Sequence, residues 1–221
     1  KIAFAPSQKG PYRFRYYDPN RRVEGKPMAE HLRFAAAYWH TMANAGADPF
    51  GEGTAIRPWD QGVQGMELAL RRVDAFFEIL QRLGIRFYCF HCLDMVPYGD
   101  SLKEFHKNLD HMVPILKQKQ KDTGIALGWG TANLFSHPKY VHGSLNANDP
   151  TVFAHAAACV KKMLEVTLEL GGENFVFWGG RVGYQSAWNS DMGKEMKTIA
   201  KFYELAAHWA DKIGFRGQFL I

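Results

Sequence analysis

Apolar positions recur at helical spacing between residues 68 and 83, where Val73, Phe76, Phe77, Leu80 and Leu83 share one face. Gly84 closes that run, and the aromatic-rich apolar stretch 85–90 reads as a short strand. Ser101 followed by Glu104 has the capping-box pattern and opens a second helix, predicted to reach about residue 122, with Pro114 as a kink or break. Gly124 stops it, and 125–129 is a second strand. Asp149 caps a third helix with Pro150 at its first position. That helix runs to residue 170 and stops at Gly171-Gly172, ahead of a third strand at 174–178. A fourth helix over about 191–213 ends before Gly214, and 218–221 begins another strand.

Strands thus start about every 40–50 residues, with a helix in every gap. Such alternation predicts parallel βαβ units. One further strand is placed at 32–39, where the periodicity equally allows a helix. Residues 1–30 are rich in Pro, Gly, Tyr and Arg without a clear period, and read as an extended arm before a partial barrel at 31–221. No Gly-x-Gly-x-x-Gly or Walker A string sits at a strand–helix junction, and Gly179, Gly180 and Gly183 lack dinucleotide spacing. The α/β pattern therefore favours a (β/α) barrel over a nucleotide-binding doubly wound sheet.

Composition narrows the class. Hydrophobic residues make up 47% and charged residues 22% of the 221, as in a soluble globular protein. No apolar run reaches about 18 residues, so no membrane span is expected. The first residues show no secretory pattern. Three cysteines cannot build a disulfide framework, which points to a reducing, cytoplasmic setting. The net charge of +5 raises the question of nucleic acid, but the basic residues are scattered and read as a solvated face. Aromatics are the unusual component, at 14% with six Trp, and their positions matter most.

Function in parallel α/β folds collects beyond the carboxyl ends of the strands. Those ends carry Trp39-His40-Thr41, then His91-Cys92-Leu93-Asp94, then Trp129-Gly130-Thr131 with Asn133 and Phe135, then Trp178-Gly179-Gly180-Arg181. Flat apolar walls beside a few polar groups suit a small polyol. His91 and Asp94 can form an imidazole–carboxylate pair for acid–base chemistry, or a satisfied structural His beside a loop Asp. Cys89 and Cys92 form a lone C-x-x-C without the second pair that a zinc or redox site would need. Phe50 sits on a Pro/Gly turn, as a local anchor or as a plug for a partner subunit.

These stretches resemble xylose isomerase, in its longer class with an N-terminal extension. The matching strings are VEGK at 23–26, HLRFAAAYWHT at 31–41, ADPFG at 47–51, YCFH at 88–91, WGTANLFSHP at 129–138, GGENFVFWGGR at 171–181 and IGFRGQFLI at 213–221. The resemblance implies a (β/α)8 barrel, here its first five strands and four helices. It implies a homotetramer and interconversion of the aldose xylose with xylulose, or of glucose with fructose, by ring opening and a metal-assisted 1,2-hydride shift. It places His91 as the ring-opening histidine, steadied by Asp94. Trp39, Trp129, Thr131, Phe135, Val176 and Trp178 match substrate-pocket positions. Phe50 matches a loop phenylalanine that enters the neighbouring subunit's site.

The family also implies two divalent cations, Mg, Mn or Co, held by carboxylates and a histidine. Their ligands begin in a Glu-Pro-Lys-Pro string expected just beyond Ile221, so no metal ligand is assigned here. The sequence departs from the family at Cys92 and Leu93, where charged residues are usual, at Val182 and Gln185, where glutamates are usual, and at Gly128, where Leu is usual. Lost carboxylates would remove supporting contacts around the pocket. Five strands cannot close an eight-stranded barrel, leaving edges open to association. The competing expectations are a non-catalytic sugar-binding or assembly fragment, and a basic nucleic-acid binder resting on charge alone.

Overall fold

The computed structural model describes residues 7, 9–10, 15–182, 188 and 190–221. Gly183 and Gln185 lie outside the described residues. The chain divides into two units, residues 1–34 and 35–221.

The first unit is less extended than its composition implies. Strands β1 (Arg22–Val23) and β2 (Lys26–Pro27) pair antiparallel. Glu24 and Gly25 turn the chain between them with φ of 47° and 79°. Positive φ at both central residues gives the tight hairpin turn whose twist matches its strands. One helical turn follows, α1 (Met28–His31), and the His31 ring bonds the Val23 carbonyl at 2.9 Å. The unit buries none of the α1 residues, in keeping with its polar sequence.

The second unit is a five-stranded parallel sheet. Its strands are β3 (Ala35–Ala37), β4 (Phe87–His91), β5 (Ala126–Thr131), β6 (Asn174–Val176) and β7 (Gln218–Leu220), paired in sequence order. The crossovers are α2 (Gly65–Leu83), α4 (Leu102–Thr123), α5 (Pro150–Glu169) and α6 (Met192–Ile213), while α3 (Cys92–Met95) is a single turn directly after β4. Successive long helices pack on one another, α2 on α4, α4 on α5 and α5 on α6. A doubly wound sheet would reverse its strand order and split its helices between two faces. Sequential order with one continuous helix row is instead part of a (β/α) barrel.

Local chemistry explains the boundaries. Ser101 Oγ accepts from Glu104 N–H at 3.2 Å, and the Glu104 carboxylate reaches back to Asp100 N–H at 2.8 Å. The box therefore closes one residue further out than its usual form. Asp149 Oδ1 accepts from Thr151 N–H at 2.7 Å, and Asp191 caps α6 through Lys194 N–H at 2.9 Å. Helices α2, α4 and α6 all end at a left-handed glycine, Gly84, Gly124 and Gly214. Pro114 does not break α4, which runs through it. On α2 the predicted face holds for Val73, Phe76, Phe77 and Leu80, but Leu83 is 63% exposed, because the helix ends there with no neighbour to cover it.

The strand expected at 32–39 shrinks to Ala35–Ala37. Trp39–Ala43 instead makes one wide helical turn, closed by Asn44 N–H to the Trp39 carbonyl at 2.7 Å. Wide turns of this kind recur at functional sites. A second adjustment lies in β5, where Tyr88 pairs with Leu127 but Cys89 pairs with Trp129. Gly128 is the extra residue of a bulge one position before Trp129. Gly130 is needed for another reason: a Cβ would lie 2.0 Å from Thr167 Oγ1 on α5.

The loop after β5 is fixed by a buried polar chain. His155 on α5 bonds Tyr98 Oη through Nε2 and Tyr140 Oη through Nδ1, both at 2.8 Å, and Tyr140 donates to Cys159 Sγ at 3.8 Å. Burial is the main reason the His155 pKa falls to about 4, with His137 and Lys139 adding to it. No described helix is long and apolar enough to cross a membrane.

Candidate active site

His91 is the last residue of β4, buried to 5% exposure beside its register partner Thr131. The chain turns directly into α3, which brings Asp94 back over the strand end. Asp94 Oδ2 lies 2.7 Å from His91 Nδ1. With the carboxylate accepting at Nδ1, the neutral imidazole carries its proton there and its lone pair on Nε2. Nε2 is buried and has no hydrogen-bond partner among the described residues. An unpaired buried ring nitrogen is costly unless another molecule uses it.

Aromatic rings enclose the imidazole on several sides. Trp39 lies 4.3 Å from it between centroids, Phe135 meets it edge-on at 5.3 Å, and Trp178 edge-on at 6.3 Å. Trp129 joins through Trp39, 5.7 Å away. Trp39 comes from the wide turn after β3, Trp129 from β5, Phe135 from the loop beyond β5, and Trp178 from just past β6. Four consecutive strand ends thus meet around one histidine. The structure brings together His91, Asp94, Trp39, Trp129, Phe135 and Trp178.

Thr131 and Val176 are joined by a hydrogen bond. Thr131 is fully buried, and its hydroxyl donates to the Val176 carbonyl, its own register partner on β6. Thr131 and Val176 therefore lock adjacent strands beneath the rings. Phe50 stands apart at 97% exposure, on a turn held by Asp48 Oδ1 accepting from Phe50 N–H at 2.8 Å. It leaves its own chain almost untouched.

The substituted positions are accommodated. Cys92 is buried and its sulfur accepts the Asn133 N–H at 3.3 Å, while burial pushes its thiol pKa far up. Burial likewise lifts Cys89 to about 12 and Cys159 to about 11, so all three sulfurs remain protonated thiols at neutral pH. Leu93 and Val182 pack against the apolar core. Asn133 is a contributor that residue types alone left without a role: Oδ1 accepts from Phe135 N–H and Ser136 N–H. The Asn residue opening a short turn was the available signal. Gly180 also matters, since a Cβ there would come within 3.0 Å of the Phe135 ring and 3.1 Å of Trp178 Nε1.

A divalent cation does not fit what is described. Among the described residues no group of three or more His, Cys, Asp or Glu side chains converges. Glu195, the buried acid, is bonded to Asn146 Nδ2 at 2.9 Å. What the arrangement can do on its own is accept a proton at Nε2 inside an apolar, aromatic enclosure.

No family model matches the chain. It is similar to the xylose isomerase of Caldicellulosiruptor bescii, 52% identical over 216 residues, covering 98% of this chain and 49% of that protein. The xylose isomerases of Thermotoga maritima and Geobacillus thermodenitrificans are each 50% identical over 222 residues, covering 100% of this chain and 50% of those proteins. The chain spans about half the length of the curated relatives it matches. Among solved structures, a sugar phosphate isomerase/epimerase from Anabaena variabilis superposes with a TM-score of 0.52 at 14% identity, covering 85% of this chain and 53% of that one. That likeness concerns the fold alone.

Proposed function

This chain belongs to the xylose isomerase family, and on that premise we propose that the protein carrying it is an aldose–ketose isomerase, acting on D-xylose and on glucose. The observation that carries the reading is the buried His91 Nε2, unpaired among the described residues, on an imidazole with Trp39, Phe135 and Trp178 around it. A sugar presents C–H faces to such rings and hydroxyls to such a nitrogen.

In this reading His91 opens the sugar ring. Nε2 takes the proton from the anomeric hydroxyl. The bond from the anomeric carbon to the ring oxygen breaks, its electron pair leaves on the ring oxygen, and that oxygen is protonated by the imidazolium. The products are the open-chain aldehyde and a neutral imidazole. Asp94 keeps Nδ1–H in place and stabilises the imidazolium while it exists. Divalent cations supply Lewis-acid chemistry to the later isomerisation in the family. The described residues form no ligand set for them. Phe50 serves a neighbouring subunit's pocket in a homo-oligomer, a role its near-complete exposure supports.

The test is turnover by the full-length protein carrying this chain, with xylose and each of Mg, Mn and Co, following xylulose. Turnover that falls at least about 100-fold in His91→Gln is expected. Full-length protein that forms no ketose with any of the three metals would overturn the reading. A second reading, sugar binding without turnover, is favoured for the 221 residues taken alone, because the rings and His91 converge while no ligand group does. Xylitol binding to that chain, unchanged by EDTA, is its expected mark.

A further inference from the structure

We infer that Asn133 is a positioning residue of the sugar site, tying the Phe135 wall to the turn that carries Asp94. This rests on the isomerase reading for its meaning to catalysis, and on geometry for its existence.

Asn133 is 3% exposed, so it has no surface to offer a sugar and acts through its neighbours. Its side chain is assigned by its partners. Oδ1 receives two backbone donors, Phe135 N–H at 3.2 Å and Ser136 N–H at 2.9 Å, and only an oxygen can do that. Nδ2 donates to Ser136 Oγ at 2.9 Å. These bonds set the backbone of the residue whose ring meets the His91 imidazole edge-on at 5.3 Å.

The backbone of Asn133 faces the other way. Its N–H donates to Cys92 Sγ at 3.3 Å. Cys92 is the first residue of α3, its carbonyl closes that turn by accepting Val96 N–H, and Asp94 lies two residues on. One residue on the β5 loop therefore holds both the ring beside the imidazole and the base of the turn that orients it. A shift at Asn133 would move the wall and the carboxylate together. Small displacements of this kind cost binding and rate out of proportion to their size.

The experiment uses the full-length protein with labelled histidine, reading the His91 imidazole resonances, assigned by their loss in His91→Gln. Phe135→Leu removes the ring and defines the direction of its shift on His91. Asn133→Ala is expected to shift the His91 resonances in that same direction and to raise the xylitol Kd about 10-fold. Asn133→Asp keeps the acceptor for both N–H groups and is expected to restore most of both. A folded Asn133→Ala with wild-type His91 resonances and wild-type Kd overturns the inference. Should that variant not fold, Ser136→Ala decides, because it removes only the Nδ2 bond from an exposed residue. A smaller shift in the same direction supports the inference, and none overturns it. If the wild type neither binds xylitol nor turns xylose over, the isomerase reading fails, while the resonances still decide whether Asn133 positions Phe135 against His91.

Discussion

Asp94 Oδ2 and His91 Nδ1 are 2.7 Å apart, and the pair joins a strand end to the single helical turn that follows it. The contact chooses the tautomer and so decides which nitrogen keeps its lone pair. In Asp94→Asn the amide can offer an N–H to Nδ1, which would move the proton to Nε2 and remove the base. The expected loss in kcat of the full-length protein is on the order of 100-fold or more, with a near-wild-type melting temperature. Steady-state kinetics and thermal melts check this together. Unchanged kcat would show that the pair does not act as argued.

Trp178 is half exposed, so its ring contributes more to a ligand than to the fold. Trp178→Ala should weaken xylitol binding by about 1–2 kcal/mol, roughly 10-fold. Its effect on stability should stay within about 1 kcal/mol. Calorimetry and denaturant unfolding separate the two. Tyr88, fully buried among Phe76, Phe77 and Phe90, should show the reverse pattern in Tyr88→Ala.

His155 makes stability depend on pH. Its folded pKa of about 4 lies below its ordinary value of 6.5. The unfolded chain therefore binds a proton that the folded chain refuses. This group's contribution is complete above pH 6.5 and is lost as pH falls from 6.5 towards 4. The loss expected across that window is on the order of 2 kcal/mol. Urea unfolding at pH 7, 5.5 and 4.5 should show a steeper decline in the wild type than in His155→Gln. Parallel declines would remove His155 as the cause.

Gly130→Ala should destabilise the sheet by about 1–3 kcal/mol, because the added methyl would meet Thr167 Oγ1 at 2.0 Å. The double variant Gly130→Ala, Thr167→Ala should recover part of that loss, since the obstructing hydroxyl is gone. A double-mutant cycle from denaturant midpoints measures the coupling. Additive losses would mean that β5 and α5 separate instead.

Sequence periodicity carried much of this architecture. The long helices are amphipathic and their ends are written as caps, Ser101 and Asp149 at the start, Gly84, Gly124 and Gly214 at the end. The first strand was harder to read, because Ala35–Ala37 has neither β-branched residues nor alternation, and only its pairing with β4 makes it a strand. Leu83 shows the opposite failure, an apolar residue on the right face with nothing left to cover it. Within the site, residue types located His91, Asp94 and the Trp residues, because rings and titratable groups are conspicuous at strand ends. Asn133 and Gly128 were not legible as contributors. An Asn opening a short turn does not reveal the backbone bond from Asn133 to Cys92 Sγ, and the part of Gly128 rests on a register shift that leaves no local pattern.

The sequential strand order has a consequence for the order in which the site comes into being. From β4 to β7, each described strand pairs with the one synthesised just before it. A chain emerging from a ribosome can set His91 against Trp39 once β4 is complete, add Trp129 with β5, and close with Trp178 after β6. The enclosure is assembled in the direction of translation, one wall per βα unit, with the proton-accepting residue in place before most of the rings that shield it.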